Sequence, residues 1–144
     1  MTKPINILLV EDDEIDIEAV ARAFRHETRL NFVVANSGTE ALSSLRGEAG
    51  CEPVPYPYVI LLDLNMPQMN GFEFLEILRS DPKLRETVVF VLTTSDRDED
   101  RITAFEYCVA GYFLKPRINA SYSNLVTFFN SYQQMAEFPP QRIV

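Results

Sequence analysis

Four short stretches of the sequence carry side chains that could do chemistry together. They are the acidic run Glu11-Asp12-Asp13, the lone Asp63, the hydroxyls Thr93-Thr94-Ser95, and Lys115 followed by Pro116. Carboxylates gathered in one crevice repel unless some are protonated or a cation lies between them. Oxygen donors without a neighbouring His or Cys favour Mg²⁺ or a similarly hard ion, which keeps some waters and takes its other ligands from phosphate. An ammonium and a hydroxyl opposite that ion could hold the oxygens of a phosphoryl group, whose transfer is chiefly a matter of positioning and charge stabilisation. In that arrangement Asp63 is the nucleophile.

Residues so far apart in sequence need a fold that brings them to one edge. Each group directly follows a strand-like run. INILLV (5–10), NFVVA (31–35), YVILL (58–62), TVVFVL (87–92) and GYFL (111–114) are short and nearly continuous apolar runs, as expected of strands buried on both faces. Helical spacing fills the intervals: Ile17, Val20, Ala21 and Phe24; then Ala41, Leu42 and Leu45; then Phe74, Leu75 and Leu78; then Ile102, Phe105 and Cys108; and a last helix from about 120 to 137. Five alternations of strand and helix predict a parallel sheet covered on both faces by right-handed crossovers. Ser37 is placed to cap the second helix, Gly71 to open the third, and Ser80-Asp81-Pro82 to end it. The two Gly and three Pro of residues 47–57 predict an irregular loop before the third strand. In such sheets the ligand crevice lies beyond the carboxyl ends of the strands. Strands one, three, four and five present the reactive residues there.

Composition bounds the reading from outside. The 144 residues hold 13 Lys and Arg against 21 Asp and Glu, a net charge of −8, which disfavours a broad nucleic-acid surface and suits a cation or a basic partner. Much of that charge is local. Six of the eight residues from Glu11 to Glu18 are acidic, and Asp96, Asp98, Glu99 and Asp100 follow the fourth strand. With 47% apolar residues the chain can bury one domain's core. Cys51 and Cys108 are too few and too far apart for a disulfide framework. No run of about 18 apolar residues is available to span a bilayer, and the N-terminus is not a signal peptide, so a cytoplasmic protein is expected.

The ordered set of Glu11-Asp12, LLDLNMPQMNG (61–71), VLTTS (91–95) and GYFLKP (111–116) resembles the receiver domain of response regulators, over residues 5 to about 132. The resemblance implies a flavodoxin-like α/β fold with strand order 2-1-3-4-5. It makes Asp63 the acceptor of a phosphoryl group from a histidine of a sensor kinase. Glu11, Asp12, Asp63 and the backbone carbonyl of Asn65 would hold Mg²⁺, while Thr93 and Lys115 would bind the phosphoryl oxygens. A cis bond is implied between Lys115 and Pro116. Tyr112 matches an aromatic switch position that turns inward as the Thr93 hydroxyl moves to the phosphate, biasing the surface of the fourth helix, fifth strand and fifth helix. The implied protein is a phosphoacceptor rather than an enzyme, with at most slow autodephosphorylation. With no output domain expected in the chain, signalling would run through protein contacts or onward phosphate transfer.

Some positions depart from the family pattern. Thr94 stands where Ala is frequent, and Cys108-Val109 replaces a Gly-Ala pair, so a left-handed end to the fourth helix is not expected. Asn65 and Ser95 fall at positions that influence phosphate lifetime in the family. A narrower resemblance rests on VEDDEID (10–16), the Pro-rich loop, the LTTS run and YQQMAEFP (132–139): these look like the small receivers that accompany bacterial phytochrome kinases. It implies a light-sensing kinase as partner and a homodimer through the fourth helix, fifth strand and fifth helix. On the last helix Leu125, Phe128, Tyr132 and Met135 form an apolar stripe, widened by Tyr122, Val126 and Phe129, broader than one core requires. With Tyr112, the residues Leu125, Phe128, Phe129 and Tyr132 form the expected dimer face.

Two alternatives compete. A Mg²⁺-dependent phosphohydrolase with an aspartyl nucleophile usually carries a second Asp two residues on, where this chain has Asn65. A pseudo-receiver that binds without phosphorylation is disfavoured because every phosphorylation position is present. Asp13, Glu14, Asp16 and Glu18 read as acids favourable to the dipole of the first helix. His26 reads as a cation near that helix's end, Cys51 as a loop thiol and Cys108 as a small packing residue.

Overall fold

Every residue of β1 (Ile5–Val10) is buried, and its apolar side chains divide between opposite cores. Side chains of a strand alternate between faces, so full burial requires helices on both sides. A computed structural model describes residues 4–27 and 29–141 and supplies those helices. After β1 come α1 (Glu14–Phe24), β2 (Leu30–Ala35), α2 (Gly38–Arg46), β3 (Tyr58–Leu62), α3 (Gly71–Ser80), β4 (Val88–Thr93), α4 (Asp98–Glu106), β5 (Gly111–Leu114) and α5 (Ser123–Met135). The five strands are parallel in the order β2-β1-β3-β4-β5. The reversal of strand order between β1 and β3 is where the expected crevice opens.

Leu8 and Val10 face the core formed with α2, α3 and α4, where Ala41, Phe74, Leu75, Leu78 and Ala104 are fully buried. Ile5, Ile7 and Leu9 face the core formed with α1 and α5, which holds Val20, Phe24, Leu125 and Phe129. Here Phe90 is ringed by Phe113, Phe128, Phe129 and Tyr132, with centroids 5.2–5.7 Å apart and mostly edge-to-face. Each fully buried ring contributes about 1.5–3 kcal/mol, with edge-to-face geometry adding to it. The first core is continuous from α2 to α4, so the sheet's reactive edge rests on packed layers rather than on loops alone.

The helix ends follow the expected chemistry with one exception. Ser37 Oγ accepts from the Glu40 amide at 3.1 Å and caps α2. Asp13 caps α1, accepting from the amides of Ile15 and Asp16. The helix α3 opens at Gly71 behind an Asn70–Glu73 capping box and ends at Asp81. The exception is α4: Cys108 has φ +60°, so the helix does end in a left-handed residue although no glycine is present. Arg79 from α3 provides the physical reason. Its guanidinium donates to the carbonyls of Tyr107 (2.7 Å), Cys108 (3.1 Å), Arg85 (2.8 Å) and Thr87 (2.7 Å), which fixes the turn into β5 from outside the helix. Burial pulls this guanidinium below its ordinary range without discharging it.

Two further expectations are corrected. The cis peptide among the described residues lies at Tyr56–Pro57, not at Lys115–Pro116. Lys115–Arg117 instead forms a 3₁₀ turn with Pro116 in its first positions, where its fixed φ and missing N–H are tolerated, closed by the Ile118 amide donating to Lys115 O at 3.1 Å. The apolar stripe of α5 is largely used by the chain itself: Tyr122, Leu125 and Phe129 are buried. Leu125 and Phe129 are therefore core residues rather than parts of an open dimer face. The tail runs past Phe138, which packs on Tyr132, and its last residues, 142–144, lie outside the described residues.

Candidate functional site

The ladder of the sheet continues one residue beyond the strands and so places the acids. Asp63 N–H donates to Val10 O at 3.1 Å, and Glu11 N–H to Ala35 O at 3.1 Å. Both side chains thus start from hydrogen-bonded backbone at the edge of the β1–β3 reversal. Asp63 is 6% exposed and Glu11 1% exposed, whereas Asp12 is open to solvent. One carboxylate oxygen from each of the three lies within 4.8 Å of the others.

Below Asp63 the loop to α3 is held close. Leu64 and Met66 are buried, and the Gly71 amide donates to Leu64 O at 3.0 Å. A Cβ on Gly71 would stand 2.7 Å from Leu64 Cα and 2.8 Å from Asp63 O. Only glycine lets α3 start this near the acid.

Lys115 approaches from β5. Its Nζ lies 2.7 Å from Glu11 Oε1, 2.8 Å from Asp16 Oδ2 and 4.0 Å from Asp63 Oδ2. Burial works against the ammonium, but the hydrogen bonds it donates to Asp16 and Glu11 outweigh it and hold its pKa above the ordinary lysine value. Glu11 moves the other way for an acid: burial, reinforced by the charge of Asp63 and opposed by Lys115, pushes it up to about 7. One ammonium shared among three carboxylates leaves an excess of negative charge, which a divalent cation would relieve.

The hydroxyl arm comes from β4. Thr93 is fully buried, and its Oγ1 accepts from Ser95 N–H at 3.4 Å and, at 3.5 Å, from the Asn65 amide nitrogen. Asn65 N–H donates to Asp63 Oδ1 at 3.3 Å, so the exposed Asn65 stands between acid and hydroxyl. Thr94 is exposed at the strand end. The Ser95 hydroxyl donates to Asp100 in the first turn of α4, and Tyr112 OH donates to Ser95 O at 2.8 Å. Burial raises the Tyr112 phenol above its ordinary value, so it stays a donor.

The structure thus brings Glu11, Asp12, Asp63, Asn65, Thr93 and Lys115 to one cleft and ties Tyr112 to its rim through Ser95. Of the expected dimer face, Tyr112 and Tyr132 are half-buried and Phe128 is 37% exposed. His26 is exposed, Cys51 half-buried and Cys108 exposed. Two contributors were not legible as such. Asp16 lies in the first turn of α1, within the general run of acids, and only its reach to Lys115 separates it from them. Arg79 acts on backbone carbonyls, which carry no sequence signal.

Chemically, the cleft offers an all-oxygen cation site beside a nucleophile, an ammonium on one side and a hydroxyl on the other. The family model described as the response regulator receiver domain matches residues 7–126. Response regulator Rcp1 of Synechocystis sp. is 34% identical over 136 residues, covering 94% of this chain and 88% of that protein. Its solved Mn²⁺-bound form superposes with a TM-score of 0.79 at 32% identity, covering 93% of this chain and 98% of the other. The solved phosphorylated cyanobacterial phytochrome response regulator RcpA gives a TM-score of 0.81 at 33% identity, covering 93% and 97%. The bacteriophytochrome response regulator AtBRR gives 0.70 at 30% identity, covering 96% of each chain. With the sheet order, the acid cleft and the family match in agreement, this chain belongs to the response regulator receiver family.

Proposed function

We propose that this receiver takes a phosphoryl group onto Asp63 from a phosphohistidine of a sensor kinase, with Mg²⁺ in the acid cleft. The supporting observation is the placement of Asp63, nearly buried, with Glu11 and Asp12 on one side, Lys115 Nζ 4.0 Å away and Thr93 reached through Asn65. Glu11, Asp12, Asp63 and the Asn65 carbonyl would hold the ion, which supplies charge neutralisation as negative charge builds at the acceptor. An Asp63 carboxylate oxygen attacks phosphorus and forms the new P–O bond while the P–N bond to the donor imidazole breaks. The electron pair stays on that nitrogen, and the ring leaves neutral because its other nitrogen carries the proton. Lys115 and Thr93 then hold the equatorial oxygens.

Turnover as a phosphohydrolase is disfavoured by Asn65, an exposed amide where such an enzyme would carry a general acid. The partner we infer is a cytoplasmic phytochrome-type histidine kinase, on the strength of relatives described as phytochrome response regulators. We further propose a homodimer through α4, β5 and α5. It is supported by Ile102 (61% exposed), Phe105 (50%) and Phe128 standing out from these elements.

Acetyl phosphate tests the acceptor reading: with Mg²⁺ the wild type gains one phosphoryl group by intact mass, and Asp63→Asn or chelation abolishes the gain. An unlabelled wild type would refute it.

A further inference from the structure

The helix-dipole account of the acids in α1 suits Glu14, which is exposed, and Glu18, which pairs with Arg22 and Arg25. It does not cover Asp16. Asp16 Oδ2 lies 2.8 Å from Lys115 Nζ, closer by 1.2 Å than the 4.0 Å separating the same ammonium from Asp63. The lysine side chain is 9% exposed, so its three protons are met mainly by protein. Glu11 belongs to the cation-holding trio, whereas Asp16 does not. Among the described residues, the hydrogen bond that the Asp16 carboxylate accepts in the cleft comes from Lys115.

We propose that Asp16 is a positioning residue for phosphoryl acceptance: it tethers Lys115 on the α1 side of the cleft, away from Asp63, and sets how readily the ammonium reaches a phosphoryl oxygen. The inference rests on Asp63 being the acceptor. Two consequences follow from the geometry. Before phosphorylation the tether holds the ammonium 4.0 Å from Asp63 Oδ2, at ion-pair range but outside hydrogen-bond contact. After phosphorylation Lys115 must give up a charge-assisted hydrogen bond to Asp16 in order to form one with the phosphoryl group. Removing Asp16 therefore tightens the phosphorylated state.

Binding of beryllium fluoride, a stable stand-in for the phosphoryl group, measures this directly in the presence of Mg²⁺. Asp16→Asn is expected to raise affinity about tenfold, the order of one charge-assisted hydrogen bond, while Asp16→Glu restores the wild-type value. Glu14→Gln removes the same charge from the same helical turn and is expected to leave affinity at the wild-type level. An unchanged or weaker Asp16→Asn, an Asp16→Glu that behaves like Asp16→Asn, or a Glu14→Gln that matches it would overturn the tether. A wild type that binds no beryllium fluoride would instead overturn the acceptor reading. The tether is then decided by hydrogen exchange of the Lys115 ammonium in the anion-free protein: faster in Asp16→Asn if the tether holds it, unchanged if it does not.

Discussion

Glu11 and Lys115 form the tightest ion pair of the cleft, at 2.7 Å, yet they respond to burial in opposite senses. Lys115 keeps its charge because two carboxylates bond it directly, while Glu11 shares that one ammonium and is pushed up to about 7. The folded chain therefore binds the Glu11 proton more tightly than the unfolded chain, where the ordinary value is 4.5. The stability this group contributes is present in full below 4.5 and is lost as pH rises through about 7. In chelator, the melting temperature of the wild type should fall over that interval, and Glu11→Gln should flatten the fall; a fall of equal size in the variant would assign it to other groups. The residue types of the cleft were legible because acid, hydroxyl and ammonium each follow a strand. Asp16 was not, since reach across from α1 to β5 is a property of the packed fold.

At the scale of elements, the fixed points are where helices start and stop. Gly71 lets α3 begin against the Asp63 carbonyl, so Gly71→Ala must displace backbone. It should lose about 1–3 kcal/mol in urea unfolding and slow acetyl phosphate labelling, because the loop that moves carries Asp63, the proposed acceptor. Arg79→Ala strips four carbonyls of a charged donor and should lose about 2–3 kcal/mol by the same assay. Cys108→Gly relieves a left-handed residue that carries a Cβ and should gain about 1 kcal/mol. These effects mark what sequence pattern could and could not reveal. The apolar runs located β1, β3 and β5 to the residue and β2 and β4 within one, because burial on both faces writes itself into composition. The start of α5 was missed: the helix begins at Ser123, after Tyr122 adopts φ +57°, and nothing local in the 119–122 stretch announces that turn. The left-handed end of α4 escaped for the same reason, its support coming from Arg79 on a different helix.

For the whole molecule, the two cores divide the labour. The face packed by α1 and α5 is filled with aromatic rings, and its surplus emerges at Phe128 and at Met135, which is 81% exposed. With Ile102 and Phe105 on α4, Phe128 belongs to the surface proposed for self-association. Sedimentation at tens of micromolar should give a dimer, and a charge at Phe128 (Phe128→Glu) should give a monomer that still accepts phosphate. A monomeric wild type under both phosphorylated and unphosphorylated conditions would remove that surface from the account. The −8 charge of the chain is concentrated at the opposite concern, the edge where Glu11 to Glu18, Asp63 and the acids after β4 gather. Such a field attracts a divalent cation and resists an incoming phosphate until that cation is present. The central claim is that Asp63 itself carries the phosphoryl group. Borohydride reduction after acetyl phosphate treatment converts an aspartyl phosphate to homoserine, which peptide mass spectrometry locates. The account predicts homoserine at position 63, dependent on Mg²⁺; homoserine at another acid, or at none, would contradict it.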